Sequence, residues 1–206
     1  MNIQRVVNYE NDQNCYIVYD KNKNAVVIDP GERAEVIFSE IEKLEVRVSH
    51  ILLTHCHYDH IGGLNGLREL TGAKVCASFE CNLAIGEPLK NLSSFFDEQI
   101  KCEPCDIIVN DNDVLEVGDF EIEVITTPGH TKGGVCYLIG DDLFSGDTLF
   151  LRSVGRWDLP GGDRLTLENS IKNKIYTLDD EIIVHPGHGN DTKIYYEKRY
   201  NTVIKG

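Results

Sequence analysis

A chain of 206 residues can bury roughly 70% of its unfolded surface in one layered core without disulfide staples. Its formal charge of −14, with lysines and arginines scattered, argues against nucleic acid as a partner, because a polyanion would be repelled. No apolar run approaches the roughly 18 residues needed to cross a bilayer, Met1 to Glu10 is polar and mixed where a signal peptide would be apolar, and the 7 cysteines are an odd number. The expectation is one cytoplasmic domain over residues 1–206, with free thiols and a small-molecule substrate.

Strands are predicted at 3–8, 15–20 and 25–29, the last two joined by the polar turn Lys21 to Asn24. Val36, Ile37, Ile41 and Leu44 recur at helical spacing, which predicts a helix over 33–44. A strand over 47–54 closes with Ile51, Leu52, Leu53 and Thr54 and empties into His55, Cys56, His57, Tyr58, Asp59 and His60. Neutral imidazole and carboxylate are the ligand types that zinc and similar divalent ions take, so this segment reads as a metal site. His55 and His57 project to one side of an extended segment. Asp59 and His60 follow on a turning loop and approach from another, so one segment can serve two adjacent ions.

A second helix is predicted near 63–71, ending at Gly72, and a series of strands over 107–147. Within that series, Phe120 to Ile125 alternates as a half-buried strand and opens into Pro128-Gly129-His130, and Leu143-Phe144-Ser145-Gly146 opens into Asp147. After a helix over 165–176, the strand 181–184 opens into His185-Pro186-Gly187-His188, and a terminal helix begins near Thr192. The pattern of apolar strand, turn-forming residue and ligand thus recurs, and strand ends distant in sequence can converge because the sheets fix where they lie. This alternation predicts an α/β protein of stacked sheets covered by helices.

The motifs His55-Cys-His57-Tyr-Asp59-His60, Pro-Gly-His130, Gly-Asp147 and Pro-Gly-His188-Gly resemble, in order and spacing, those of the metallo-β-lactamase superfamily. Val27 to Gly31 resembles its early strand and turn. The resemblance implies a four-layer αββα sandwich. It also implies that His55, His57 and His130 hold one divalent ion, Asp59, His60 and His188 a second, and that Asp147 bridges them. Zinc is the first choice for both ions, with iron or manganese as alternatives. Two such cations would make a bridging hydroxide that attacks a thioester or small ester carbonyl, with Asp59 the candidate catalytic residue.

Within the superfamily, Asp147 and the segment Ser153 to Asp163, which contains Gly155-Arg156-Trp-Asp158, resemble short glyoxalase-II-like hydrolases. Persulfide dioxygenases share that segment, and their likeness would place a single iron on His57, His130 and Asp147. Ile61-Gly62-Gly63, however, resembles the hydrolase version. The likeness to full-length glyoxalase II covers its catalytic portion and stops before the helical domain that contacts glutathione, which leaves the thiol half of the substrate open.

Asp29 is expected to hydrogen-bond a ligand imidazole or to cap its turn. His185 is expected to be a strand-end hydrogen-bonding group and His50 a structural one. Lys132, Arg152 and Arg156 are candidates to meet a substrate carboxylate, although Arg156 can equally pair with Asp158. Cys102-Glu-Pro-Cys105 is a lone pair of thiols with no second pair at zinc-site spacing, and Cys56 reads as a small packing residue.

Overall fold

The computed structural model describes residues 1–96 and 99–206. Strands β1 (Asn2–Asn8), β2 (Gln13–Tyr19) and β3 (Asn24–Ile28) form an antiparallel meander. Parallel strands β4 (Arg47–Leu52), β5 (Lys74–Ser78) and β6 (Ile107–Val109) extend it to six strands in sequence order. Parallel neighbours need crossovers, and helices supply them: α1 (Ala34–Leu44) before β4, α2 (Tyr58–Ile61) and α3 (Leu64–Thr71) before β5, and α4 (Phe79–Ala84) before β6.

The second sheet contains β7 (Val114–Val117), β8 (Phe120–Thr126), β9 (Val135–Ile139) and β10 (Asp142–Gly146). The small hairpin β11 (Leu149–Phe150) and β12 (Ser153–Val154) and helix α5 (Arg164–Asn173) follow before β13 (Ile183–Pro186), β14 (Thr192–Lys193) and α6 (Ile194–Tyr200). The strand order is β14-β13-β10-β9-β8-β7.

Alternation along the strands divides the core into layers. On β2, Cys15 and Ile17 face α1 and α3, while Tyr16 and Val18 face the other sheet. Ile122, Val124, Tyr137 and Phe144 answer them from the second sheet, whose opposite face packs Ile125, Cys136 and Leu143 against Leu167 and Ile171 of α5. The result is the metallo-β-lactamase αββα sandwich that the resemblance implied.

Polar ties cross between the sheets at the end where the ligands gather. Val135 N–H donates to the Thr54 carbonyl at 2.8 Å, and the Tyr137 hydroxyl to the Leu53 carbonyl at 3.0 Å. From β2, Asn14 N–H donates to the Gly187 carbonyl at 2.7 Å, and the Tyr16 hydroxyl to the Pro186 carbonyl at 2.7 Å.

Some elements differ from the sequence reading. The strand predicted to reach 54 stops at Leu52, since the Thr54 N–H turns to the Asp29 side chain. The helix predicted over 165–176 ends at Asn173, and Ile175–Thr177 forms a separate 3-10 turn. Helix α4 and the β11–β12 hairpin were not anticipated, being too short for a periodic signal. All seven cysteines are free, and no described helix is long and apolar enough to cross a membrane.

Candidate metal centre

Four strand ends place the ligand-type side chains in one cluster. His55 and His57 follow β4 in extended chain, and the single turn of α2 then swings Asp59 and His60 in from another side. His130 comes from the turn after β8, Asp147 from the end of β10 and His188 from the turn after β13. Ligand atoms of His55, His57 and His130 all lie within 4.8 Å of one another, as do those of Asp59, His60 and His188. Asp147 reaches both trios. Its Oδ2 is 3.5 Å from His130 Nε2, and its Oδ1 is 3.3 Å from His60 Nε2 and 3.6 Å from His188 Nε2.

The outer ring nitrogens are held in place. His60 Nδ1–H donates to Asp29 Oδ2 at 2.9 Å, His130 Nδ1–H to the Arg156 carbonyl at 2.7 Å, and His188 Nδ1–H to the Asn11 carbonyl at 3.1 Å. His55 Nδ1 lies 3.1 Å from Thr54 Oγ1, which itself donates to Asp29 Oδ2 at 2.5 Å. Such bonds fix the tautomer and turn a lone pair on Nε2 toward the cluster. Asp29 also sits near His55 and His60, but its oxygens are taken up by Thr54 and His60, so it orients ligands rather than joining them.

This arrangement calls for positive charge. His60 Nε2 and His188 Nε2 face each other at 3.3 Å, and two lone pairs so placed repel unless a proton or a cation lies with them. His55 Nε2, His57 Nε2 and Asp147 Oδ1 are buried without any hydrogen-bond partner. Unpaired buried polar atoms are costly, and a cluster of imidazole and carboxylate donors satisfied by divalent cations fits the zinc, iron or manganese chemistry of such donors.

The electrostatics differ between the trios. Burial, reinforced by neighbouring imidazoles, depresses His55 well below the ordinary histidine range and His57 to about 3, so both are neutral. Burial would also depress His60, yet the carboxylates of Asp147, Asp29 and Asp59 outweigh it and raise His60 well above the ordinary value. Against burial, Asp59 and Asp147 also raise His188. Burial would raise Asp147, but His60 and His130 hold it well below the usual carboxylate range. The space at the cluster is reserved by Gly187, where a Cβ would strike Asp147 Oδ1 and His60 Cε1.

Of the candidate substrate cations, Lys132 lines a pocket beside the cluster. The Arg156 guanidinium is exposed and paired with Asp158 at 2.9 Å, so its nearest service to the site is its carbonyl on His130. Arg152 lies in the β11–β12 turn, its backbone tied to Glu197 and Thr202. His185 is held between Asp142 at 2.7 Å and Asp191 at 3.3 Å, both ring nitrogens engaged. His50 Nδ1 lies 2.9 Å from Ser49 Oγ. The carbonyls of Asn11 and Arg156 and the Thr54 hydroxyl were missed from sequence. Only Thr54, polar at the end of an apolar run, carried any signal.

An αββα sandwich with histidines and carboxylates gathered at its strand ends defines a metal-dependent hydrolase. The chain belongs to the metallo-β-lactamase superfamily, whose profile matches residues 8–188. It is 36% identical over 208 residues to the hydroxyacylglutathione hydrolase GloC of Haemophilus influenzae, covering 99% of this chain and 98% of that one. The crystal structure of BLEG-1 B3 metallo-β-lactamase superposes with a TM-score of 0.95 at 35% identity, covering 100% of both chains. That of TTHA1623 in a di-iron-bound form gives 0.85 at 32% identity, covering 97% of this chain and 98% of that one.

Proposed function

We propose that the protein hydrolyses thioesters of small thiols, with one divalent ion held by His55, His57 and His130, a second by Asp59, His60 and His188, and Asp147 shared between them. The observation that carries this reading is the second trio beside the first, with Asp147 reaching both. An iron dioxygenase using His57, His130 and Asp147 would leave Asp59, His60 and His188 without a role. The choice of thioester rests on the likeness to the Haemophilus hydroxyacylglutathione hydrolase over nearly the whole chain.

Divalent cations held there supply Lewis acidity, which makes water acidic enough to attack near neutral pH and polarises a carbonyl. The chain supplies the rest. Asp147 and Asp59 offer carboxylate oxygens that orient the attacking water, and the bonds that the imidazoles donate to Asp29 and to the carbonyls of Arg156 and Asn11 keep the rings from turning away. A thiolate leaves with less need of protonation than an amine, so a thioester suits a site built of acceptors.

The test is hydrolysis of S-lactoylglutathione and simple acyl thioesters by zinc- or manganese-loaded protein without oxygen. A chromogenic β-lactam and oxygen uptake with glutathione persulfide serve as competing assays. Thioester turnover that falls by orders of magnitude in His60→Ala and His188→Ala supports the proposal. Persulfide-dependent oxygen uptake by the iron-loaded protein that survives both substitutions, or β-lactam turnover that exceeds thioester turnover, overturns it.

A further inference from the structure

Beside the His55–His57–His130 trio lies a pocket of about 320 Å³, between α4 and the turns that carry Lys132 and Gly161. Two of its lining residues adjoin candidate ligands: Cys56 stands between His55 and His57, and Thr131 follows His130. Consecutive Cα atoms are about 3.8 Å apart, so the backbone of each runs directly into that of a candidate ligand.

Three features point to a ligand. Leu83 and Leu89 lie on its wall although 48% and 74% exposed, apolar surface left uncovered beside a polar centre. Thr131 is only 9% exposed, lines the pocket, and its buried Oγ1 has no hydrogen-bond partner. Among the described residues, Lys90 and Lys132 both line the same space against the single carboxylate of Glu80. Lys132 makes no ion pair among the described residues, and the polar contact of the Lys90 ammonium is the Leu83 carbonyl at 3.4 Å. Apolar walls, an unpaired hydroxyl and an excess of ammonium groups together match a short alkyl chain ending in an anion.

We infer that this pocket is the substrate subsite for a carboxylate-terminated chain: Leu83 and Leu89 pack its methylenes, Lys132 and Lys90 hold its carboxylate, and Thr131 Oγ donates to it. The inference rests on the thioester reading for its reaction but not for its binding. The volume sits at the small end of ligand pockets, so it takes a chain of a few carbons rather than a whole tripeptide thiol. The carboxylate can belong to the acyl half or to the thiol half of the thioester.

Four substrates separate these cases: S-ethyl thiosuccinate and its amide for the acyl half, S-acetyl-3-mercaptopropionate and its amide for the thiol half. In one pair, the carboxylate should be preferred over its amide by roughly tenfold or more in kcat/KM, mostly through KM, the scale of one charge-assisted hydrogen bond. Lys132→Gln and Lys90→Gln should each shrink that preference several-fold, Lys132→Arg should restore most of it, and Thr131→Val should raise KM for the preferred acid. The pair that responds identifies the half. Equal treatment of acid and amide in both pairs, or a preference that neither glutamine variant alters, overturns the inference. A separate readout covers failure of the thioester reading: binding of 3-(ethylthio)propionate, by calorimetry and by NMR shifts at Thr131 and Lys132. If no thioester is cleaved, saturable binding weakened several-fold in Lys132→Gln sustains the subsite, and absence of binding removes it.

Discussion

Asp29 Oδ2 lies 2.9 Å from His60 Nδ1, and the same carboxylate accepts both the N–H and the hydroxyl of Thr54 at 2.7 and 2.5 Å. One buried side chain therefore fixes where β4 ends and which way the His60 ring faces. Every group around it donates, so Asp29→Asn keeps the shape but sets an amide N–H against a donor. The expected result is a 10- to 100-fold weaker second ion, with the first ion affected less. Competition with a coloured chelator, resolved into two steps, measures both.

Asp147 has carboxylate oxygens beside both trios, and this governs stoichiometry. Wild-type protein saturated with zinc or manganese should hold close to two ions, His188→Ala close to one, and Asp147→Ala should lose both more readily than any single histidine variant. Elemental analysis after dialysis reads the ratio. One ion per wild-type chain after saturation would leave the binuclear reading without support.

Protons should empty the trios in order. His60 and His188 are raised by their carboxylate neighbours, so protons compete for the second trio at a higher pH, as pH falls through values above the ordinary 6.5. His55 and His57 are depressed, the latter to about 3, so protons leave these two ligands of the first trio undisturbed until much lower pH. Cobalt-substituted protein titrated downward should lose its absorption in two stages, and His188→Ala should abolish the upper one.

His185 gives a stability prediction of definite sign. Burial opposes its charge, but Asp191 and Asp142 outweigh burial and raise it. A raised folded value contributes stability that is fully present below the ordinary 6.5 and is lost as pH rises through the folded value. His185→Gln should therefore cost more at pH 5.5 than at pH 8.5. Urea unfolding at the two pH values checks it.

Cys56 sits between two candidate ligands yet faces Cys81 and the α3–α4 core. Burial raises the thiols of Cys102 and Cys105, to about 12 and about 11, which keeps them protonated and unreactive. Cys56→Ser, Cys102→Ser and Cys105→Ser should each retain at least half of wild-type kcat/KM with metals bound. Abolished turnover in metal-replete Cys56→Ser would mark that thiol as part of the chemistry.

The ligand-type residues were legible in sequence because each follows an apolar strand at a turn, and strand ends are what a sandwich brings together. The supports were less so. His130 and His188 rest on the carbonyls of Arg156 and Asn11, and a carbonyl leaves no mark in a sequence since every residue has one. Arg156 shows the cost: its guanidinium drew attention as a candidate for substrate, whereas its backbone touches the site. Helix α4, six residues capped by Ser78 Oγ on Cys81 N–H, is too short for a period of 3.6 to stand out, and with it went one wall of the pocket.

His55, His57, Asp59 and His60 hang from the first sheet, and His130, Asp147 and His188 from the second. Any ion seated among them is a rivet through the sandwich, gripping two sheets otherwise joined at that end by a few hydrogen bonds and side-chain packing. Affinity for metal and cohesion of the sheets then become one quantity read on two instruments. At free metal a thousandfold above the dissociation constant, binding adds about 4 kcal/mol to the folded state. Protein prepared with too little metal would melt early for want of its fastener, and its apparent fragility would say little about the sequence that folds around it.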